Sequence, residues 1–337
     1  MADAVLTVTF AGPQVSFQDG GRRGWMRFGV PASGPMDRFA HAAANRALGR
    51  PAGATAIEVS MGGLSLTCES GTVSFAVCGG GFTLDHAGAR VEGWVVRTLS
   101  AGESLTVRAG KWGSWCYLAF AGEVDAQAWL GATATHAISQ FGGGALTAGH
   151  RITLRNAEAT PSREGPLPAP PLPDPNARLP VVPGPQEDRF APGALDTLTR
   201  EPFTVTPAYD RMGMRLDGPE LALADALSIP SEPTLRGSIQ VAGDGVATVL
   251  LADHQTTGGY PKIATLVSTA TDALVQARAG DKVRFFAVSP DEAIMRARRD
   301  LATRQAWLDE IAVPRGSLED RLMRANLISG VHHGGDE

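Results

Sequence analysis

Residues 250–267, LLADHQTTGGYPKIATLV, are the most informative stretch of this sequence. The apolar run at the start of the stretch and the β-branched run at its end each predict a buried strand. Gly258 and Gly259 lie between the two runs, where they allow the backbone to turn sharply or to approach a ligand closely. The stretch therefore predicts two core strands joined by a turn.

The predicted turn is unusually rich in side chains that exchange protons or hydrogen bonds. They are Asp253, His254, Gln255, Thr256, Thr257, Tyr260 and Lys262. This is more hydrogen-bonding chemistry than a loop needs for solubility. A plain polar hairpin explains the spacing equally well, so the spacing alone leaves a binding site and a hairpin as open alternatives.

Composition and charge narrow the class of protein. The 337 residues predict two domains, because a domain typically has about 150. With 40 glycines, 23 prolines and 6% aromatic residues, the composition favours a β-rich fold with many turns. The formal charge of −5, without a block of lysine or arginine, argues against nucleic acid or an anionic membrane as the main partner.

The sequence predicts a cytoplasmic protein. The region after Met1 lacks the pattern of a signal peptide, and no apolar run approaches the roughly 20 residues that span a bilayer. Cys68, Cys78 and Cys116 are odd in number and lie in strand-like contexts without metal-type spacing. We expect them to be buried reduced thiols.

The chain divides into four predicted segments. Residues 1–160 contain short strands at close spacing, which are typical of a barrel or sandwich, and one helix over residues 35–48. Residues 161–180 form a proline-rich linker, and residues 181–288 form a second β-domain. Residues 289–330 are predicted to be helical. Similar phrases recur in the same order in both halves, which indicates either an old duplication or chance reuse.

The C-terminal helix is predicted to begin with a capping box at Ser289, followed by Pro290 in the first turn. An apolar stripe is expected at Ile294, Ala297, Leu301, Leu308 and Ile311, and a solvated face at Arg296, Arg298, Arg299 and Arg304. A second helix is expected over residues 318–327. His332 and His333 lack further ligands, so no metal site is expected.

Four separate motifs carry a family resemblance. They are GPQVSFQDGGRRGWMRFGVPASGPMD (residues 12–37), PGPQEDRF (183–190), DRMGMRL (210–216) and DHQTTGGYPKIATL (253–266). Together they resemble the biotin-dependent carboxyltransferase family, also described as the allophanate hydrolase subunit 2 or KipA family, which includes the C subunit of 5-oxoprolinase. His254 replaces the arginine that is usual in this family, and Arg236 replaces a usual proline.

The resemblance implies a mainly β fold with two cyclophilin-like β-barrel domains and a few helices. It implies a subunit of an ATP-dependent 5-oxoprolinase, which opens 5-oxoproline to glutamate together with a KipI-like B subunit and an ATP-using subunit. One alternative is the carboxyltransferase component of a biotin-dependent urea-type carboxylase in the allophanate pathway. The other is a regulatory partner that performs no chemistry and binds a KipI-like kinase inhibitor.

The cofactors are expected to come from partner subunits. The sequence contains no Walker-type phosphate loop, no dinucleotide fingerprint and no lysine in a biotin-attachment context. We therefore expect no covalently bound cofactor in this chain, with ATP or carboxybiotin supplied by the partners.

Each candidate site residue has an expected role toward a small amide substrate. Lys262 can stabilise negative charge on an oxygen, Tyr260 can pass a proton, and Gln255 can bind the amide. Further substrate-binding candidates are Asp253, His254, Thr256, Thr257, Gln240, Arg211, Gln18, Asp19, Arg22 and Ser33.

Some of these candidates also have structural interpretations. Arg211 binds either a substrate carboxylate or Asp210 or Asp217 in an internal ion pair. Asp19 and Arg22 are expected to pair with each other, and Ser33 is expected to cap the helix that follows it rather than act as a nucleophile. We expect the turn over residues 253–262 and the long loop over residues 18–37 to line one pocket at the junction of the two domains.

Overall fold

The computed structural model of the protein describes residues 2–172, 178–224, 228–314 and 316. The predicted helix over residues 318–327 lies outside the described residues. Within the described part, the expected mainly β, barrel-like fold with a few helices is confirmed.

The first half of the chain forms two antiparallel sheets. Its strands are β1 (Ala2–Ala11), β2 (Ser16–Gln18), β3 (Ala56–Ser60), β4 (Leu64–Ser70), β5 (Thr72–Cys78), β6 (Thr83–His86), β7 (Ala89–Glu92), β8 (Val95–Ser100), β9 (Ser104–Arg108), β10 (Trp115–Phe120), β11 (Glu123–Val124), β12 (Arg151–Ala157) and β13 (Gly165–Pro166). One sheet has the order β11-β12-β1-β4-β9-β6-β7, and the other has the order β13-β8-β5-β10-β3-β2. Strand β10 is buried along its whole length between β5 and β3, which explains its apolar sequence WCYLAF.

The second half of the chain forms one large sheet and one small sheet. Its strands are β14 (Leu179–Pro183), β15 (Phe203–Tyr209), β16 (Gly213–Asp217), β17 (Glu232–Pro233), β18 (Ser238–Val241), β19 (Ala247–Leu250), β20 (Thr257–Gly258), β21 (Lys262–Leu266), β22 (Lys282–Val283) and β23 (Phe285–Ala287). The large sheet has the order β22-β15-β16-β19-β18-β21-β14-β23, and β17 pairs with β20. Leu250, the first residue of the informative stretch, ends β19, and the rest of the stretch forms the polar turn with β20, followed by β21. Strand β18 lies between β19 and β21 in the sheet, so the predicted plain hairpin of two paired strands is wrong.

Four α-helices accompany these sheets within the described residues: α1 (Arg38–Ala47), α2 (Ala194–Arg200), α3 (Ser268–Leu274) and α4 (Pro290–Ala312). Short 3-10 turns cover Met26–Phe28, Pro161–Arg163 and Glu187–Arg189. Helix α1 begins three residues later than predicted because the Asp37 side chain accepts a hydrogen bond from the backbone N–H of Ala40 at 3.0 Å. The interpretation of Ser33 as the helix cap is therefore wrong.

The prediction for α4 is confirmed at its start and wrong along its length. Ser289 accepts the expected hydrogen bond from the backbone of Glu292 at 3.2 Å. Ile294 and Leu301, however, are 49% and 53% exposed, whereas Leu308 and Ile311 are buried. The helix contacts the first half through its last turns, so burial is concentrated there and not along a single stripe.

An aromatic cluster explains why the end of α4 packs on the first half. The ring of Trp307 lies 5.5 Å from that of Phe39 and 5.9 Å from that of Trp94, measured between centroids. Arg304, which was predicted to be solvated, lies over the Phe39 ring and pairs with Asp272 at 2.8 Å. Two apolar cores result, one in each half. The first includes Trp307 from α4, and the second includes Met36 and Trp115 from the first half.

The proline-rich segment also contributes contacts to the fold. Strand β13 pairs with β8 of the first half, and β14 already belongs to the sheet of the second half. Arg163 donates to the carbonyl oxygens of Ala47 at 3.4 Å and Ala312 at 2.7 Å, which lie at the ends of α1 and α4. These carbonyls have no partner within their own helices, so Arg163 satisfies both helix ends.

The contact of Arg163 with the α1 terminus predicts a specific glycine requirement. Gly49 has a φ of +73°, and a Cβ added there would lie 2.6 Å from Nη2 of Arg163. We expect Gly49→Ala to lower the free energy of unfolding by about 2 kcal/mol, through backbone strain and displacement of the guanidinium. Urea denaturation measures this change.

The matched control is Gly88→Ala, because Gly88 has a φ of +75° but no atom within 4 Å of an added Cβ. That variant should lose about 1 kcal/mol from strain alone. Equal losses in the two variants would contradict a structural role for the Arg163 contact.

Candidate functional site

The side chain of Arg211 joins the two halves of the molecule at the start of the polar turn. It lies in the connection between β15 and β16 and is 1% exposed. Its guanidinium donates to Asp253 through Nε at 2.9 Å and Nη2 at 3.1 Å, and to Glu58 of β3 through Nη1. A further bond runs from Nη2 to the carbonyl oxygen of Gly34 at 2.7 Å. We call Glu58, Arg211 and Asp253 the buried bridge.

The internal ion pair expected for Arg211 is present, but the predicted partners are wrong. Asp210 instead accepts hydrogen bonds from the backbone of its own turn, including Met212 at 2.7 Å. The nearest acceptors lie on distant segments because the bend between β15 and β16 directs Arg211 inward, while Asp210 stays at the surface. Each guanidinium nitrogen of Arg211 donates to a protein oxygen, so this side chain holds the fold together and is not free for a substrate carboxylate.

Glu58 extends the bridge to the end of the long N-terminal loop. Its Oε2 accepts from the backbone N–H of Met36 at 2.8 Å and from the hydroxyl of Tyr117 at 2.7 Å. The same hydroxyl accepts from the backbone N–H of Asp37 at 2.7 Å. Burial, together with the charge of Glu58, raises the pKa of Tyr117 well above its ordinary value, so the phenol remains a neutral donor.

Asp253 links the turn to two further segments of the first half. Its Oδ2 accepts from the backbone N–H of Ala137 at 2.9 Å, and its carboxylate is also hydrogen-bonded by Ser33. Burial favours the neutral form of this carboxyl, but the charge and hydrogen bonds of Arg211 outweigh burial and hold the pKa of Asp253 below its ordinary value. Ser33 has a φ of 52° and accepts from Arg22 Nη1 at 3.1 Å, which explains why it does not cap α1.

The expected ion pair between Asp19 and Arg22 is wrong, although both residues order the loop. Asp19 accepts from the backbone of Gly21 at 2.9 Å and of Thr133 at 2.7 Å. Arg22 is 2% exposed and donates to the carbonyl oxygens of Trp129, at 3.4 Å, and Ala134. Each side chain therefore satisfies backbone groups in residues 129–134.

Gln18 belongs to the same ordered region. It is fully buried, and its Nε2 donates to the hydroxyl of Ser16 and to the carbonyl oxygen of Thr135, both at 3.0 Å. The four loop candidates Gln18, Asp19, Arg22 and Ser33 thus contact protein groups that fix the loop. Oε1 of Gln18, however, is buried without a hydrogen-bond partner among the described residues.

The other end of the turn carries a different arrangement, centred on Lys262. This residue begins β21 and is 5% exposed, yet its Nζ has no hydrogen-bond partner among the described residues. The nearest opposite charge is Oε2 of Glu232, at 3.9 Å. Gln240 of β18 stands opposite Lys262 in the sheet, and Gln255 Nε2 donates to Gln240 Oε1 at 3.2 Å. We call Lys262, Glu232, Gln240 and Gln255 the Lys262 cluster.

His254 lies between the two ends of the turn and is 4% exposed. Its Nδ1 lies 3.1 Å from the hydroxyl of Thr234 and 2.6 Å from the carbonyl oxygen of Gln255. Burial lowers the pKa of His254, so the imidazole that replaces the usual arginine is neutral near pH 7. Thr257 and Tyr260 are exposed, and Thr256 is half-buried.

The turn and the long loop meet at the Asp253 end, where Ser33 hydrogen-bonds the carboxylate of Asp253. One cavity of about 560 Å³ is lined by residues of β15 and β16 with Val246 and Gly280. A second cavity, of about 320 Å³, lies at the end of α1 beside Glu123 and Glu158. Neither is lined by Lys262, Gln255 or residues 18–37, so the shared pocket stays a prediction. No cluster of metal-ligating side chains occurs in the described part of the chain.

Several residues of this region were missed by sequence reasoning, namely Glu58, Tyr117, Gln186, Glu232 and Thr234. A signal was available for two of them. Glu58 is a charged residue within the otherwise apolar strand AIEVS, and Gln186 lies within the motif PGPQEDRF. The others carry no local signal because their partners are distant in sequence.

Comparison with known proteins decides the family. The family model described as carboxyltransferase domain, subdomain A and B, matches residues 28–287. The chain belongs to this carboxyltransferase domain family. The expected resemblance is thereby confirmed, and the match includes both the buried bridge and the Lys262 cluster.

Relatives of this carboxyltransferase-domain chain are named as enzymes or enzyme subunits. The C subunit of 5-oxoprolinase from Haemophilus influenzae is 32% identical over 301 residues, which cover 88% of this chain and 94% of the relative. The C subunit of 5-oxoprolinase from Escherichia coli is 30% identical over 320 residues, which cover 91% and 98%. The urea amidolyase of Lachancea kluyveri is 28% identical over 84% of this chain but only 17% of its own length.

Solved structures agree with the fold. The crystal structure of TTHA0988 has a TM-score of 0.75 and 33% identity, and the match covers 84% of this chain. This chain spans 55% of the TTHA0988 chain. The urea amidolyase of K. lactis has a TM-score of 0.79 over 91% of this chain, and its 23% identity supports the fold alone. No described helix of the carboxyltransferase-domain chain is long and apolar enough to cross a membrane.

The buried bridge predicts a large cost for removing its only cation. We expect Arg211→Met to lower the free energy of unfolding by about 3–5 kcal/mol, because the carboxylates of Glu58 and Asp253 would remain buried without the cation that neutralises them. Chemical denaturation measures the loss.

Arg215→Met is the matched control, since Arg215 lies on the adjacent strand and pairs with Asp244 at 2.7 Å with both side chains 47% exposed. This exposed pair should contribute about 1 kcal/mol or less. A similar small loss in both variants would contradict the structural role of the bridge.

Proposed function

We propose that this carboxyltransferase-domain chain is the C subunit of an ATP-dependent 5-oxoprolinase that opens 5-oxoproline to glutamate. Two relatives with that name match over 94% and 98% of their own lengths. The urea amidolyases and the putative urea carboxylase match over only 17% to 25% of theirs. The C subunit of 5-oxoprolinase therefore accounts best for the extent of the match.

The single observation that carries a chemical role is the enclosed ammonium of Lys262. Its Nζ is shielded from solvent and lacks a hydrogen-bond acceptor among the described residues. A positive charge held in a water-poor site interacts strongly with negative charge that develops on a carbonyl oxygen. This supports Lys262 as the group that stabilises such an oxygen while the amide bond of the substrate breaks.

The neighbouring side chains fit an amide substrate. Gln240 and Gln255 each carry an amide donor and acceptor, and the bond between them fixes their mutual orientation. The hydroxyl of Tyr260, whose side chain is 44% exposed, would transfer a proton to the leaving nitrogen. In this proposal His254 supports the turn and does not act on the substrate, because its Nδ1 already contacts Thr234 and Gln255.

The proposal assigns the energy-yielding step to partner subunits. A KipI-like B subunit and an ATP-using subunit would complete the assembly, and the carboxyltransferase-domain chain would carry no covalent cofactor of its own. We place this assembly in the cytoplasm. The three buried free cysteines, Cys68, Cys78 and Cys116, fit a reducing compartment.

The second candidate is carboxyl transfer from carboxybiotin to a urea-like acceptor. It is favoured by the relatives named urea amidolyase or putative urea carboxylase, which are 27% to 29% identical to this chain. Avidin added to the native complex separates the two proposals. It would abolish a biotin-dependent reaction and leave 5-oxoproline turnover unchanged.

The proposed role of Lys262 predicts a large kinetic effect. We expect Lys262→Met to lower the turnover of 5-oxoproline by about a hundredfold or more in the reconstituted three-subunit assembly, because the charge that stabilises the oxyanion is lost. ATP-dependent formation of glutamate measures the effect.

Lys282→Met is the matched control, since Lys282 is an exposed lysine in β22 of the same half. It should retain full turnover. Unchanged turnover in a folded Lys262→Met assembly would contradict the catalytic role. A regulatory function without chemistry would be favoured by two results together: no turnover in the wild-type assembly, and binding of Lys262→Met to the partner subunits.

A further inference from the structure

Gln186 connects the backbone of Lys262 to the carboxylate of Glu232. It lies between β14 and the 3-10 turn Glu187–Arg189 and is 8% exposed. Its Oε1 accepts from the backbone N–H of Lys262 at 3.1 Å, while its Nε2 donates to Oε2 of Glu232. The buried side-chain amide of Gln186 therefore fixes the positions of both Lys262 and Glu232.

The chain segment that carries Gln186 is pressed against the start of β21. A Cβ added at Gly184 would lie 2.1 Å from the carbonyl oxygen of Lys262. The backbone N–H of Gly184 donates to the carbonyl oxygen of Ile263 at 2.7 Å. Only glycine permits this close approach, so Gly184 allows the side-chain amide of Gln186 to lie beside the backbone of Lys262.

Glu232 is the member of the pair that faces solvent. Its side chain is 49% exposed, whereas that of Lys262 is 6% exposed. It belongs to β17, which pairs with β20 over two residues on each side and with no other strand among the described residues. A ligand that reaches the enclosed ammonium from the Glu232 side therefore passes the Glu232 carboxylate and this short strand pair.

The pair presents a hydrogen-bond donor beside an acceptor. Nζ of Lys262 carries three N–H donors, and Oε2 of Glu232 lies 3.9 Å away, too far for a hydrogen bond between them. A ring amide has its carbonyl oxygen and N–H on the same edge, because the ring forces the cis arrangement that open-chain secondary amides avoid. Such an edge matches a neighbouring donor and acceptor.

We propose that Glu232 is a specificity-determining residue that accepts the ring N–H of a lactam or cyclic ureido group, while Lys262 Nζ donates to the carbonyl oxygen of that group. Gln186 is the positioning residue that holds Glu232 and Lys262 in register. The proposal rests on the proposed function in so far as Lys262 belongs to the substrate site. In this proposal Lys262 binds the amide edge of the 5-oxoproline ring and not the carboxylate of 5-oxoproline, because the charge of Glu232 repels a second carboxylate.

Binding of a matched pair of neutral lactams tests the proposal on the full chain. The probes are pyrrolidinone and its N-methyl derivative, which differ in the ring N–H, and ligand-observed NMR titration measures their affinities. We expect the wild-type chain to bind pyrrolidinone about tenfold more tightly, since a hydrogen bond to a charged group is lost in the N-methyl compound. Imidazolidinone and 5-oxoproline, added separately, distinguish a ureido ligand from a lactam ligand.

Three variants test which residue causes the difference in affinity between the two lactams. Glu232→Ala should reduce the ratio of the two affinities to about one, and Gln186→Met should reduce it in the same direction. Glu201→Ala, which removes an exposed glutamate of the same half, should leave the ratio unchanged. A purely structural role of Gln186 would lower stability without changing the ratio. If Gln186→Met does not fold, Glu232→Ala decides the question alone, because its side chain is half exposed.

Three results would overturn the proposal: equal binding of the two lactams to the wild type, no binding of either, or a ratio that survives Glu232→Ala. Turnover of 5-oxoproline by the reconstituted assembly is scored separately. Turnover that is unaffected by Glu232→Ala would reject Glu232 as the selector and leave the proposed function standing. Lactam discrimination in an assembly without turnover would reject the proposed function and support the site.

Discussion

One buried guanidinium, that of Arg211, determines how the two halves of this carboxyltransferase-domain chain meet. It is held by Asp253 from its own half and by Glu58 and Gly34 from the other half. Removing such charges from water is costly, and the cost is offset only when every donor and acceptor is paired. The geometry around Arg211 therefore leaves little freedom to the segments that supply its partners.

A second set of charges supports the same junction. Arg236, at the position where the family usually has proline, donates to the carbonyl oxygens of Pro35, at 2.9 Å, and Met36. Asp272 pairs with Arg38 at 2.9 Å and Arg304 at 2.8 Å, which connects α3 with α1 and α4. Arg236 thus adds contacts between the two halves.

The polar turn consequently has two ends with different tasks. At the Asp253 end, every strong hydrogen bond goes to protein groups, and the pKa of Asp253 is held low by Arg211 against the effect of burial. At the Lys262 end, a buried ammonium is left without an acceptor in the described part of the chain. The Asp253 end therefore fixes the turn, and the Lys262 end is where our proposals place the substrate.

Sequence reasoning succeeded where the signal is local. The strand after the polar turn (β21), the helix after Asp37 and the capping box at Ser289 each follow from patterns of a few residues. It failed where partners are distant, since Arg211 and Glu58 are 153 positions apart and no local pattern pairs them. It also failed for Ser33, because Asp37, four residues later, can form the same cap. The exposure of Ile294 and Leu301 was missed because only the last turns of α4 meet the aromatic cluster.

Hydrogen–deuterium exchange of the Arg211→Met chain, compared with the wild type and with Arg215→Met, tests most directly the claim that the buried bridge positions both sides of the junction. The account predicts faster exchange in two separate segments at once, residues 33–37 of the first half and residues 252–262 of the second. It predicts no change in either segment for Arg215→Met. Faster exchange confined to the immediate neighbours of residue 211, with both segments unchanged, would contradict the account.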